Sequence, residues 1–184
     1  MKNTTHLILG MLALTFGMEV KAQIQLPSVF SDGMVLQQNS KVAVWGWGNP
    51  SETLMILSEW NPGDTVRTVV DNQGRWKAEV PTGRAGGPYT LEVKGGNDSR
   101  KLSDVMLGEV WLCSGQSNME WSANMGIMNG EQEVKQAASP SVRIFHNPKQ
   151  GADTPQPTAA QSGRWLLPKV CARPVPLLTS LPAT

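Results

Sequence analysis

The sequence predicts a mixed fold, an all-β sandwich of immunoglobulin-like or jelly-roll kind followed by an incomplete α/β domain. Three observations predict it. From Gln23 to about Ser103, short runs rich in β-branched and aromatic residues alternate with explicit turn chemistry. At Val105 the half-buried alternation gives way to an apolar block, Val110-Trp111-Leu112-Cys113, that stops at the small polar turn Ser114-Gly115-Gln116-Ser117-Asn118. Beyond that turn, a helical pattern over Glu131 to Ala138 and an apolar run from Val142 to Phe145 give a strand, helix, strand order, the beginning of a doubly wound sheet.

At the N-terminus, Lys2 precedes an apolar stretch from Leu7 to Val20, and Val20-Lys21-Ala22 places small residues where a signal peptidase cuts. Residues 1–22 therefore read as a secretory signal, and the expected location is exported, periplasmic or extracellular. The stretch is shorter than the roughly 20 apolar residues of a spanning helix, and no later segment approaches that length, so no membrane span is expected. The expected division continues with a β-sandwich over 23–104, an α/β segment over 105–165 and an irregular Pro-rich tail over 166–184.

Within the sandwich, seven strands are expected: Met34 to Gln38, Lys41 to Trp47, Thr53 to Trp60, Thr65 to Val70, Arg75 to Val80, Tyr89 to Lys94 and Arg100 to Ser103. Ser31-Asp32-Gly33, Asn49-Pro50, Asn61-Pro62-Gly63-Asp64, Asp71-Asn72-Gln73-Gly74 and Gly95-Gly96-Asn97-Asp98 supply the bends between them. Trp76, Ala78 and Val80 share one face of their strand, with Arg75, Lys77 and Glu79 on the other. Such alternation describes an antiparallel sheet with one dry and one wet face. The tryptophans Trp45, Trp47, Trp60 and Trp76 admit two uses, a stacking platform for sugar rings or the packing of the sandwich core, and core packing is the simpler.

In the second region, Val110 to Cys113 is too short for a helix and lacks Pro and Gly, which suits a strand buried on both faces. Pro140 stops the helix expected before it, and Gln150 to Gly163, rich in Gln, Pro, Thr and Ala, reads as a long surface loop. Past Trp165, Pro168, Pro174, Pro176 and Pro182 exclude a regular helix or a central strand. A doubly wound sheet is not finished by such a tail, and a shifted reading frame or a broken gene would give this loss of pattern.

Composition narrows the chemistry. The 184 residues carry a net charge of +1 with acidic and basic residues interleaved, so nucleic acid and anionic membrane surfaces are poor partners. No Cys or His pair has metal-site spacing and no phosphate-cradling glycine loop is present, so neither metal nor organic cofactor is expected. Cys113 and Cys171 are compatible with a disulfide in an exported protein, and equally with a reduced thiol buried in the Val110 to Cys113 strand. The candidate for catalysis is Ser117, because a serine held beyond the carboxyl end of a buried strand is where serine hydrolases present a nucleophile. Gly115 and Ser117 fit the elbow G-x-S-x-G, but Met119 replaces its last glycine, which disfavours an ordinary α/β-hydrolase. Cys113 should point into the sheet and is a poor nucleophile.

The residues Gly115-Gln116-Ser117-Asn118-Met119, with Gly108-Glu109-Val110-Trp111 before and Glu120-Trp121 after, resemble the first block of sialate O-acetylesterases, serine esterases of the SGNH hydrolase superfamily. Leu26 to Gln38, reading L-P-S-V-F-S-D-G-M-V-L-Q-Q, resembles the start of their mature chains, and the likeness spans about Leu26 to Trp165. It implies that the second region is the N-terminal part of a flavodoxin-like SGNH domain, that Ser117 is the nucleophile with its own N–H in the oxyanion hole, and that Gln116 and Asn118 shape the turn. It implies an acetylated sugar as substrate, sialic acid or a related glycan, and no cofactor. A glycine and an asparagine from later blocks and a late Asp-x-x-His should complete the site, yet no D-x-x-H occurs in this chain. His146, alone outside the signal region, is expected to be a bystander. The alternative from another class is a non-catalytic secreted β-sandwich module that binds glycans or a partner protein.

Overall fold

A computed structural model describes residues 23–96, 98–115, 117, 125–126, 128–136, 142–147, 153–154 and, for the backbone, 164–166. All seven strands expected before Asp104 form: β1 Val35–Gln37, β2 Lys41–Trp47, β3 Thr53–Ser58, β4 Thr65–Val69, β5 Arg75–Pro81, β6 Gly86–Gly95 and β7 Asp98–Gly108. They build a five-stranded sheet in the order β1-β7-β6-β3-β4 and a two-stranded ribbon of β2 and β5. A hydrogen bond from the Thr68 hydroxyl on β4 to the Lys77 carbonyl on β5 (2.9 Å) links the two, so the sheet curls over the ribbon. One pairing departs from the antiparallel expectation: β1 runs parallel to β7, with Leu36 opposite Leu107 and Gln37 opposite Gly108.

Alternation decides what the two layers share. Leu54, Ile56, Leu91, Val93, Val105 and Leu107 from the larger sheet and Val44, Trp76, Ala78 and Val80 from the ribbon are buried in one core. Each such aliphatic side chain removed from water contributes roughly 1.5–3 kcal/mol, which is what offsets the entropy of ordering the strands. Three of the four tryptophans weighed from the sequence serve this core. Trp76 lies within it, Trp45 and Trp60 pack against it, Trp45 meets Phe30 edge-on with ring centroids 4.7 Å apart, and the Trp60 indole N–H donates to the Pro81 carbonyl (2.9 Å).

Turn chemistry acts as the sequence suggests. Between β4 and β5, Gly74 takes φ +75° and its N–H donates to the Asp71 carbonyl (2.9 Å), while the Asp71 carboxylate accepts from the N–H groups of Gln73 and Arg75, each at 2.8 Å. The Arg75 N–H above all holds this carboxyl below the ordinary aspartate range; desolvation opposes it, and the Gln73 N–H and the Arg75 charge add to the lowering.

The last strand is longer than expected. Ser103 was its predicted end, but β7 continues through Asp104 to Gly108. Tyr89 pairs with Val105 and Leu91 with Leu102, so β7 carries one residue more than β6 across this interval, a bulge at which Asp104 adopts φ +56°. Ser103 and Asp104 are both exposed there, and the inward alternation resumes at Val105 and Leu107. The extra residue breaks period-two patterning, which is why the sequence reads as a change of region at that point.

Past Gly108 the expected strand at Val110 to Cys113 is absent. These residues carry no strand, and Val110, Trp111 and Leu112 are 48%, 66% and 94% exposed. The helix α1 spans Gly130–Gln136, starting one residue before the expected Glu131, and β8 spans Ile144–His146, shifted by two residues from the predicted start. β8 pairs antiparallel with β9, Arg164–Leu166, so the described residues do not contain the parallel strand, helix, strand unit. The signal region and the tail beyond Leu166 lie outside the described residues.

Candidate functional site

Ser117 is exposed, the first requirement of a nucleophile that must reach an ester. Gln116 and Asn118, expected to shape its turn and the oxyanion hole, lie outside the described residues. Cys113, expected to point into a sheet, is instead exposed with a free thiol, and Cys171 lies outside the described residues. The physical reason for the correction is partnership: an apolar run becomes a buried strand only when other strands cover both faces, and among the described residues no strand pairs with Val110 to Cys113. A direct check is Leu112→Ser. With the side chain already in water, the urea midpoint of the purified chain should stay within the range of an ordinary surface change, about 0.5 kcal/mol.

The segment that leads to Ser117 has a defined origin. At the end of the parallel pair, the Gln38 N–H donates to the Gly108 carbonyl at 2.9 Å and continues the ladder by one bond. The side-chain amides of Gln37 and Gln38 then donate to the two carboxylate oxygens of Glu109, at 3.0 and 2.7 Å, and the Gln37 amide oxygen accepts from the Val110 N–H at 2.9 Å. The two amides hold the Glu109 carboxyl below the ordinary glutamate range, with a smaller opposing effect of desolvation. Sequence reasoning quoted these residues as parts of two separate stretches. Nothing in either stretch says that they touch.

A second junction was also missed. The Arg143 guanidinium, ahead of β8, donates to the backbone oxygen and, at 2.8 Å, to the carboxylate of Asp104 at the β7 bulge. Its side chain is 9% exposed while the Asp104 side chain is 55% exposed, and its Nε is buried with no partner among the described residues. His146, half-buried at the end of β8, sits in register with Arg164 of β9. An open concavity of about 210 Å³ is lined by Glu59, Thr65, Thr90, Glu92 and Lys101 among others and contains none of the predicted site residues. Among the described residues no group of three or more His, Cys, Asp or Glu could hold a metal ion, and no helix is long and apolar enough to cross a membrane.

No protein-family model matches the chain. Several curated proteins do. The sialate O-acetylesterase of Homo sapiens is 33% identical over 129 residues, covering 64% of this chain and 24% of the human protein. That of Pongo abelii is 31% identical over 153 residues, 77% of this chain and 29% of its own length, and that of Mus musculus is 32% identical over 127 residues, 64% and 23% respectively. Among solved structures, a carbohydrate acetylesterase from Xanthomonas citri superposes with a TM-score of 0.74 at 33% identity, covering 83% of this chain and 34% of that one. The chain thus spans about a quarter of the length of the curated relatives it matches.

Proposed function

We propose, on the premise that this chain belongs to the sialate O-acetylesterase family, that it is part of an exported hydrolase removing acetyl groups from sugar hydroxyls, with Ser117 as nucleophile. The observation that carries this reading is the exposure of Ser117 on a segment that leaves the end of β7, inside the residues that resemble the family's nucleophile block. On this reading the strands through β7, which ends at Gly108, form a β-sandwich, and the chain beyond it, to about residue 165, opens an SGNH domain, with Gln116 and Asn118 shaping the turn.

The Ser117 hydroxyl attacks the acetyl carbonyl, its proton passes to a base, and the oxyanion is held by N–H donors including its own. The proton then goes to the departing sugar oxygen, and water resolves the acetyl-enzyme. His146 is not assigned the base. With no D-x-x-H in these 184 residues, the chain alone is expected to turn over slowly, because members of such a triad act as a unit.

That same non-additivity shapes the test. Where the base is missing, removing the serine changes little, so Ser117→Ala is compared in the presence of imidazole, which supplies a diffusing base. The substrate is an O-acetylated sugar rather than an activated phenyl ester, which free imidazole attacks unaided. Imidazole is expected to raise acetate release by the parent chain about tenfold, a part of the usual contribution of a positioned base, and to leave Ser117→Ala unchanged. Equal stimulation of both would remove Ser117 from the chemistry. Brisk turnover without imidazole, lost in Ser117→Ala, would overturn the slow-chain reading and bring in His146 as the base.

A further inference from the structure

We infer that Glu109, gripped by Gln37 and Gln38, is the positioning residue that aims the Ser117 turn, an inference that rests on the esterase reading for its catalytic meaning. β7 ends at Gly108, and from Trp111 to Gly115 the chain has no strand ladder to guide it. What fixes its departure is the knot at the end of β1. Three bonds converge there: two amide N–H groups on one carboxylate, and the Val110 N–H on the Gln37 amide oxygen. The last of these is informative, because Gln37 uses a side-chain carbonyl to satisfy a backbone donor just past the end of the ladder.

The knot is itself anchored. The Gln38 amide oxygen accepts from the Ala85 N–H at 2.8 Å, tying in the connection between β5 and β6. The Thr82 hydroxyl bonds the Gln37 and Ser40 carbonyls at 2.7 and 3.0 Å and accepts from the Ser40 N–H at 3.0 Å, so the backbone carrying both glutamines is held from the opposite side. Glu109 makes no ion pair among the described residues; its charge strengthens amide bonds whose geometry is set by β1 and the β5–β6 connection. Such a carboxylate sets direction. Misplacing a reacting group by about 1 Å can cost about 100-fold in rate, so an exit fixed at Glu109 and Val110 bears on a nucleophile a short lever away.

The test reads position without needing turnover. In a Cys113→Ser, Cys171→Ser background, spin labels at Ser117→Cys and at Lys77→Cys, on an exposed strand position of the ribbon, report the distance distribution between turn and core. Glu109→Ala is expected to broaden it roughly twofold, since a released segment of this length ranges over about 15 Å. The exchange Gln37→Glu with Glu109→Gln restores a carboxylate facing an amide and an acceptor for the Val110 N–H, and should return the parent width, whereas Glu109→Gln alone should not. An unchanged distribution in Glu109→Ala, or an exchange variant as broad as Glu109→Gln alone, overturns the inference even if melting shifts. Should Glu109→Ala fail to fold, the comparison of Glu109→Gln with the exchange variant decides. In the chain without labels, imidazole-assisted kcat should fall in Glu109→Ala with KM unchanged and recover in the exchange variant. If imidazole assists neither Ser117 nor its alanine variant, the esterase reading fails while the distance measurement still judges the knot.

Discussion

Gly46→Ala should lower the unfolding free energy by about 3 kcal/mol or more, read as a fall in the urea midpoint of the purified chain. Gly46 lies in β2 between two tryptophans, where the space that a side chain would occupy is already filled. A Cβ built there would stand 2.2 Å from the Gln25 carbonyl oxygen and 3.1 Å from the Trp76 ring. Neither neighbour can yield cheaply. Gln25 and Trp47 exchange two backbone hydrogen bonds, at 3.0 and 2.9 Å, and Trp76 is a core residue whose indole N–H meets the Trp47 carbonyl at 3.3 Å. Overpacking of this kind costs about 1–3 kcal/mol, and each bond of the bridge that opens adds about 1 kcal/mol. Against a total stability of roughly 5–15 kcal/mol for a small domain, that is a large fraction. Gly63→Ala is the control, since a Cβ there meets nothing within 4 Å and should leave the midpoint in place. A Gly46→Ala chain as stable as Gly63→Ala would mean that the segment before β1 does not cross β2 as described.

The fold was legible where period and punctuation agreed. Trp76, Ala78 and Val80 alternate with charged residues in the sequence and lie in the core as that pattern requires, and Gly74 supplies the positive φ that its turn needs. Illegibility began at Asp104. A bulge inserts one residue into a strand, and an insertion is indistinguishable from an ending when only alternation is read. The parallel pairing of β1 with β7 was equally hidden, because pairing direction is a property of two distant segments and leaves no mark on either alone.

The site was legible in part for a different reason. Ser117 was singled out as a serine following an apolar block, and the structure leaves it exposed, but the block before it is not the buried strand that the argument assumed. Apolar residues record what a segment is suited to pack against, whereas a strand forms only when those partners are present. Val110, Trp111 and Leu112 keep the composition of a core strand while standing in solvent, a contiguous exposure that marks a surface suited to being covered. Glu109, Gln37 and Gln38 illustrate the opposite failure. Their residue types are ordinary surface polars, and their joint meaning appears only when β1 and β7 lie side by side.

Leu107→Ala should cost about 2–5 kcal/mol, the range for a buried leucine whose cavity the surroundings fill only partly. Leu107 is 3% exposed and stands opposite Leu36, itself 4% exposed, across the parallel pair that ends in the Gln37, Gln38 and Glu109 knot. Its loss removes apolar contact and also weakens the pairing that brings β1 beside the exit to Ser117. Two measurements separate these consequences. Chemical unfolding gives the global cost, and native-state hydrogen exchange at Val110, whose N–H is bonded to the Gln37 amide oxygen, gives the local one. Exchange at Val110 should accelerate by at least as much as the global destabilisation predicts, because this bond closes only while β1 and β7 stay paired. The comparison with Leu112→Ser carries the structural decision, since both changes delete an apolar side chain from the same stretch of chain, one from the core and one from water. If the serine change at Leu112 proved as costly as the alanine change at Leu107, Val110 to Cys113 would be packed in the folded protein after all, and the buried strand expected from sequence would be restored.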